Sequence, residues 1–150
     1  ETFDDRLDHW TLSTDFIVGF PTETSEDHER SMELFRDVRP EKANVTRFSK
    51  RPGTDAADLK GLGGQVKKDR SKEMSELQRE AAAEAYESMI GDTREVLAVR
   101  PGTGDSMKCR DDAYRQIIVR SADEHGIDPG DTAEVEVTSH HTFYAFSEPT

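Results

Sequence analysis

Apolar positions along the 150-residue chain change rhythm several times, and each change marks a new element. Thr14-Asp15-Phe16-Ile17-Val18-Gly19-Phe20 is a continuous apolar run of strand length that ends at Pro21. Alternation disappears when neither face of a strand meets water, so the run predicts a parallel strand buried on both sides. The spacing then turns helical. Thr24 and Asp27 form a capping-box start, Glu23 and Glu26 suit a helix N-terminus, and Met32, Phe35 and Val38 give a buried stripe. Pro40 stops that helix and Ala43–Phe48 reads as the next strand. Residues 14–48 are therefore expected to form one strand–helix–strand crossover.

Ahead of this unit, residues 1–13 read as a helix end and a loop anchored by Phe3, Leu7, Trp10 and Leu12. Behind it, Asp55–Gly64 reads as a loop broken by Gly61, Gly63 and Gly64. Gln65–Ile90 is rich in helix formers, and its stripe of Val66, Met74, Leu77, Ala81 and Ala85 is narrow. Such a helix packs on the surface of a larger body, and Gly91 ends it. The last change comes at Gly91. Glu95–Val99, Gln116–Val119, Ala133–Val137 and Thr142–Phe146 read as short strands, with turns at Pro101–Asp105 and Asp128–Asp131. Ala133, Val135 and Val137 face inward, Glu134 and Glu136 outward. The expected fold is α/β followed by all-β: an α/β portion with a long connecting helix over residues 1–90, then a small barrel over 91–150 resembling an oligonucleotide-binding fold.

Composition limits what this arrangement does. Hydrophobic residues make up 33% and charged residues 35%, with a formal net charge of -12 and a pI near 4.8. A surface of that kind favours solubility and self-repulsion, and is also a solution to high salt. Taken alone it opposes nucleic-acid binding, which needs local positive charge. Cys109 is the only cysteine, so no internal disulfide forms and a reducing compartment is expected. No run has the length of a transmembrane helix, and no signal-peptide pattern is present. The first residue is Glu1, not methionine, which leads to the expectation of a fragment of a longer protein.

Few residues are placed for chemistry. His140 and His141 would point to opposite faces of a strand, and His9, His28 and His125 lack partners at ligand spacing. Cys109 lies between Lys108 and Arg110, which could lower its pKa; an inert barrel position is the plainer reading. Pro101–Asp105 lacks the phosphate-loop pattern and reads as a hairpin turn. Arg110-Asp111-Asp112-Ala113-Tyr114-Arg115-Gln116 offers an aromatic flanked by arginines, able to stack on a base and contact phosphate, or else a charged strand start. Phe48–Thr54 places Ser49, Lys50 and Arg51 at the carboxyl end of a parallel strand, where α/β proteins hold ligands. Gly19–Glu23 ends the neighbouring strand, so both turns should open on one face.

Thr14–Thr24 and Arg47–Thr54, followed by Arg110–Gln116 in a terminal β module, resemble the latter half of a radical-SAM methylthiotransferase closed by a TRAM domain. The pattern is most similar to the archaeal threonylcarbamoyladenosine tRNA methylthiotransferases, relatives of MiaB, and the acidic composition suits a halophilic archaeal member. The resemblance implies addition of a methylthio group to C2 of the modified adenosine next to the anticodon. It implies S-adenosylmethionine, two 4Fe-4S clusters, an electron donor protein for the full-length enzyme, tRNA bound through its anticodon stem-loop, and a cytoplasmic setting without membrane contact. It implies that Asp15, Ile17, Val18, Gly19, Phe48, Ser49 and Arg51 line the cofactor cleft of a partial (β/α) barrel. It also implies that Lys108, Arg110, Tyr114 and Arg115 touch RNA. The cluster cysteines of that family have no counterpart here, so the chain alone is expected to be inactive, and Thr22 stands where the family often has glycine. Two other readings stay open: a non-catalytic RNA-binding module with a helical arm, and another SAM- or nucleotide-binding α/β enzyme.

Overall fold

The computed structural model describes residues 6, 7 and 9–150, and it divides into two compact units. One is Leu12–Ala81. The other is Ala82–Thr150 together with the described residues before Leu12, so this division falls inside a helix.

Leu12–Ala81 contains β1 (Ser13–Val18), α1 (Ser25–Val38), β2 (Lys42–Arg47), the short α2 (Asp55–Asp58) and most of α3 (Gly64–Glu87). β1 and β2 pair in parallel, Ser13 opposite Lys42 through Val18 opposite Arg47, which gives the expected strand–helix–strand unit. The cap of α1 forms as the sequence predicts. Thr24 Oγ1 accepts from Asp27 N–H at 3.1 Å while Asp27 Oδ2 accepts from Thr24 N–H at 2.9 Å. At the other end Arg39 adopts a left-handed conformation and its N–H donates to the Phe35 carbonyl at 2.8 Å, just before Pro40. The core is small: Val18, Met32, Phe35, Met74 and Ala81, with Phe16, Ala43, Val45 and Leu77 packed against it. Full burial of Phe35 contributes on the order of 2 kcal/mol.

Several expectations change here. β1 is not buried on both faces: it belongs to a two-stranded sheet, and Ile17 is 62% exposed. Val38 and Val66 are exposed, so neither belongs to its helix's buried stripe. Residues 55–58 are helical, and α3 ends at Glu87 before a turn that reaches Gly91. Among the described residues before β1 none is helical and Leu7 is exposed; Phe3 lies outside the described residues.

The other unit is a closed barrel of β3 (Thr93–Pro101), β4 (Met107–Arg110), β5 (Gln116–Val119), β6 (Thr132–His141) and β7 (Tyr144–Pro149). Strand order around it is β3-β4-β5-β7-β6, with β6 returning to β3. Every neighbour is antiparallel except β5 and β7, where Ile118 lies opposite Phe146 in a parallel pair. Closure leaves no free sheet edge. Val96, Ala98, Met107, Cys109, Ile117, Val119, Val135, Val137 and Ala145 fill the interior, joined by Tyr86 and Met89. Glu134 and Glu136 face out as the alternation predicts. β4 went unmarked in the sequence because it has only four residues, two of them basic.

Candidate functional site

Two places gather the residues singled out above, one in each unit. In Leu12–Ala81 the carboxyl ends of β1 and β2 lie side by side because the strands are parallel and in register. Phe48 N–H donates to the Val18 carbonyl at 2.9 Å, and the Phe20 and Phe48 rings meet edge to face at 5.1 Å. The turn after β1 is fixed by one carboxylate. Glu23 Oε2 accepts from Gly19 N–H at 2.6 Å and from Phe20 N–H at 3.2 Å, while Oε1 pairs with Arg70 of α3 at 2.5 Å. Arg70 also donates to the Glu23 carbonyl at 3.2 Å. His28 lies alongside, with Nε2 2.9 Å from Glu73 Oε2 and Nδ1 3.8 Å from Glu23 Oε1.

Lys67, one turn before Arg70, crosses the gap between the strand ends. Its stem packs on Gly19, which has a positive φ of 77°, and its Nζ donates to the Phe48 carbonyl at 3.2 Å. Lys50 turns back to the Ala57 carbonyl at 2.7 Å, and Thr54 Oγ1 donates to the Arg51 carbonyl at 2.8 Å, closing the second turn. Ile17, Phe20, Ser49 and Arg51 are exposed, and Phe48 is half-buried. Apolar side chains, a hydroxyl and a guanidinium are thus all exposed along these two strand ends. Asp15 is exposed, whereas the Val18 side chain is buried in the core. Gly19 N–H is already engaged by Glu23, so an incoming ligand meets side chains before it meets that donor. Glu23 was placed by sequence in this turn and at the start of the helix, but its partner Arg70 and the bridging Lys67 were not singled out. The only local signal was an i, i+3 pair of cations on α3, and their partners Phe48 and Glu23 lie far away in the chain.

In the barrel, Arg110–Gln116 is a tight turn with two sides. Tyr114 is 74% exposed and left-handed (φ 65°), with the Arg110 guanidinium 4.9 Å from its ring centre and Arg110 Nη1 donating to its carbonyl at 3.2 Å. An exposed ring stacked with a guanidinium can accept an unstacked base. Arg115 points the other way. Its Nη2 donates to the Trp10 carbonyl at 2.9 Å, its Nη1 lies 3.9 Å from Asp111 Oδ2, and its N–H donates to Asp111 Oδ1 at 2.7 Å. Arg94 is buried on the same carboxylate at 3.9 Å and pairs with Asp92 at 2.7 Å. Burial pushes the Asp111 carboxyl above its ordinary value, against the Arg115 amide and the two guanidiniums. Arg115 is therefore placed to hold the turn, and Lys108 stands half-buried on β4.

Cys109 is buried in the barrel and its thiol is pushed up to about 11 by burial, opposite to the activation that flanking Lys108 and Arg110 suggested. Both cations point outward on the strand while the sulfur points in. Among the described residues no group of three His, Cys, Asp or Glu side chains could hold a metal ion, and no helix is long and apolar enough to cross a membrane. The residues present do not fit an iron–sulfur cluster, which needs several thiolates.

A second basic and aromatic surface, missed in sequence, occupies the outer wall of β4, β5 and β7. A cavity of about 380 Å3 there is lined by Lys108, Gln116, Ile118, Arg120, Tyr144 and Phe146 with the β3–β4 turn.

No family model matches the chain. It is similar to a probable threonylcarbamoyladenosine tRNA methylthiotransferase of Archaeoglobus fulgidus, 38% identical over 81% of this chain and 29% of the relative. A protein of the same name from Pyrococcus abyssi is 40% identical over 72% of this chain and 25% of its own length. A tRNA-2-methylthio-N(6)-dimethylallyladenosine synthase of Streptomyces viridosporus is 34% identical over 88% of this chain and 27% of the relative. The chain is thus homologous over most of its length to proteins named as tRNA methylthiotransferases, and it spans roughly a quarter of the length of each.

Proposed function

We propose that this chain is part of a tRNA-modifying enzyme that adds a methylthio group to C2 of N6-threonylcarbamoyladenosine next to the anticodon. The observation that carries the reading is similarity over most of the chain to proteins named for that activity, among them archaeal threonylcarbamoyladenosine enzymes at 38% and 40% identity. Residues 1–90 belong in this reading to the last strands and helices of a radical-SAM partial barrel, and residues 91–150 to a TRAM-like RNA-binding domain. The parallel β1–β2 pair and the closed five-stranded barrel support that division.

S-adenosylmethionine, when bound, would supply the radical chemistry on accepting one electron from a cluster held by other parts of the enzyme. Ile17, Phe20 and Phe48 give apolar contact to its nucleoside, Ser49 and Arg51 offer polar partners to its amino-acid end, and Asp15 stands at the rim. Val18 and Gly19 act through backbone position. Cluster ligands and the contact for an electron donor protein belong to other parts of the enzyme, which acts in the cytoplasm of a halophilic archaeon. Lys108, Arg110 and Tyr114 contact the anticodon stem-loop, and Arg115 holds Arg110 and Tyr114 in place. Affinity in high salt then rests on stacking and hydrogen bonds more than on counterion release.

The test is mass spectrometry of tRNA nucleosides from a strain lacking the gene. Loss of the methylthio form of threonylcarbamoyladenosine is expected. Unchanged levels overturn the reading, and loss of a dimethylallyl derivative in its place overturns the substrate.

A further inference from the structure

The β4–β5–β7 wall of the barrel carries aromatic and cationic side chains in an order that the Arg110–Gln116 turn does not explain. Lys108 on β4 lies opposite Ile118 on β5, and Ile118 lies opposite Phe146 on β7, so the three form one row across the wall. Arg110 and Gln116 form the neighbouring row of β4 and β5. Along the β7 side runs a continuous ladder. His141 stacks on Tyr144 at 4.9 Å and 13°, Tyr144 meets Phe146 edge to face at 5.3 Å, and the Arg120 guanidinium sits 4.3 Å over the Phe146 ring. The ladder borders the cavity of about 380 Å3, whose floor includes Gln116 and Ile118 and whose far side carries Lys108.

Charge gives the ligand its sign. Residues 91–150 hold twelve acidic and six basic side chains. Yet the cavity lining has Lys108 and Arg120 against the single carboxylate of Asp105. A locally positive cleft in an acidic module is a place where an anion can approach. Its aromatic wall adds what a free anion does not need: ring faces and a flat guanidinium on which a planar group can stack. The fold points the same way. In five-stranded Greek-key barrels, oligonucleotides lie across strands two and three and the loops between strands one and two and strands four and five. Here those are β4, β5, the Gly102–Ser106 turn and the β6–β7 turn, the parts that line this cleft or flank it.

We propose that this cleft is a base-stacking subsite for unpaired RNA, separate from the Arg110–Tyr114 turn. A base stacks on the His141–Tyr144–Phe146–Arg120 ladder, Gln116 offers its amide to the base edge, and Lys108 and Arg120 take the flanking phosphates. The proposal rests on the RNA-binding reading above, and deepens it by naming the surface and the single-stranded form of the ligand. Duplex RNA keeps its bases stacked inside and cannot use such a ladder.

Fluorescence anisotropy tests it with the 150-residue chain, a labelled single-stranded RNA of mixed sequence, and the same strand annealed to its complement. Tyr144→Leu and Arg120→Gln should each weaken single-strand binding roughly tenfold, in line with one stacked base. Tyr144→Phe should bind as the parent does, and the duplex should bind more weakly than the single strand. Arg120 and Lys108 are polar, so Arg120→Gln and Lys108→Gln stay informative if Tyr144→Leu lowers the melting temperature. Equal affinity of parent and Arg120→Gln overturns the subsite, with or without a loss in Lys108→Gln and whatever the nucleoside assay finds for the enzyme. Failure of the parent to bind, or a preference for duplex, overturns it as well.

Discussion

Gly19 lies against the aliphatic stem of Lys67 so closely that a Cβ on it would fall 2.4 Å from Lys67 Cγ. The same lysine ends 3.2 Å from the Phe48 carbonyl. One side chain of α3 therefore rests on the end of β1 and holds the end of β2, and this closeness is available only to a residue without a Cβ.

Gly19→Ala should consequently cost more than its backbone conformation alone. Gly53 supplies the control, since it has nearly the same positive φ (79° against 77°) and nothing within 4 Å of a built Cβ. Gly53→Ala is expected to lose about 1 kcal/mol from left-handed strain. Gly19→Ala should lose at least about 1 kcal/mol more, because Lys67 must leave its place. Urea unfolding of the two variants measures the difference; equal losses would show that Lys67 yields freely.

Glu23 and Arg70 make the second prediction. Both side chains are nearly buried, and Glu23 also fixes two backbone N–H groups of the turn after β1. Glu23→Gln leaves the Arg70 guanidinium buried without its counter-charge, which should destabilise by about 3 kcal/mol. Arg70→Met should cost a similar amount, and the double variant much less than the sum, since neither charge is then stranded. A double-mutant cycle on thermal or urea unfolding reads that coupling directly. Additive losses would mean that the pair does not act as a unit.

The strand–helix–strand order, the α1 cap and the barrel were legible in sequence because each rests on local periodicity and turn chemistry. Thr24 and Asp27 are three residues apart, and Ala133, Val135 and Val137 alternate whatever lies beyond them. Exposure was less legible. Ile17 reads as core by type, yet it stands in a two-stranded sheet that covers little of it. The site was read in part for the same reason. Phe48–Thr54 and Arg110–Tyr114 are contiguous stretches, whereas Glu23 meets Arg70 across 47 positions and Arg120 meets Phe146 across two strands. Charge type was also ambiguous: Lys108 and Arg110 flank Cys109 in sequence but leave it on the opposite face of β4.

Asp111 gives the third prediction through its titration. Its carboxyl is held above the ordinary 3.8, chiefly by burial, so the folded barrel binds that proton more tightly than the unfolded chain. Stability from this group is thus greatest at or below that ordinary value and falls as pH rises through the raised folded value. Asp111→Asn cannot titrate. Measured against the parent, Asn should gain ground as pH moves from about 4 toward neutrality, with every other carboxylate cancelling in the comparison. The reverse trend would mean that Arg94 and Arg115 outweigh the burial.

Arg115 and Tyr114 are neighbours in sequence but should fail in different ways. Arg115 bonds the Trp10 carbonyl and faces Asp111, so Arg115→Ala removes a buried cation from that carboxylate. A loss of about 3 kcal/mol is expected, and the variant should unfold several degrees below the parent. Tyr114 is mostly exposed and bonds through its backbone, so Tyr114→Ala should stay within about 0.5 kcal/mol. RNA anisotropy then separates the two at a temperature where both variants are folded. Tyr114→Ala should weaken binding by roughly tenfold through lost stacking. Arg115→Lys, which keeps the charge beside Asp111, should recover most of the stability and leave RNA affinity near the parent's. If Arg115→Lys folds as the parent does but loses RNA as Tyr114→Ala does, then Arg115 contacts RNA itself and does not merely hold the turn.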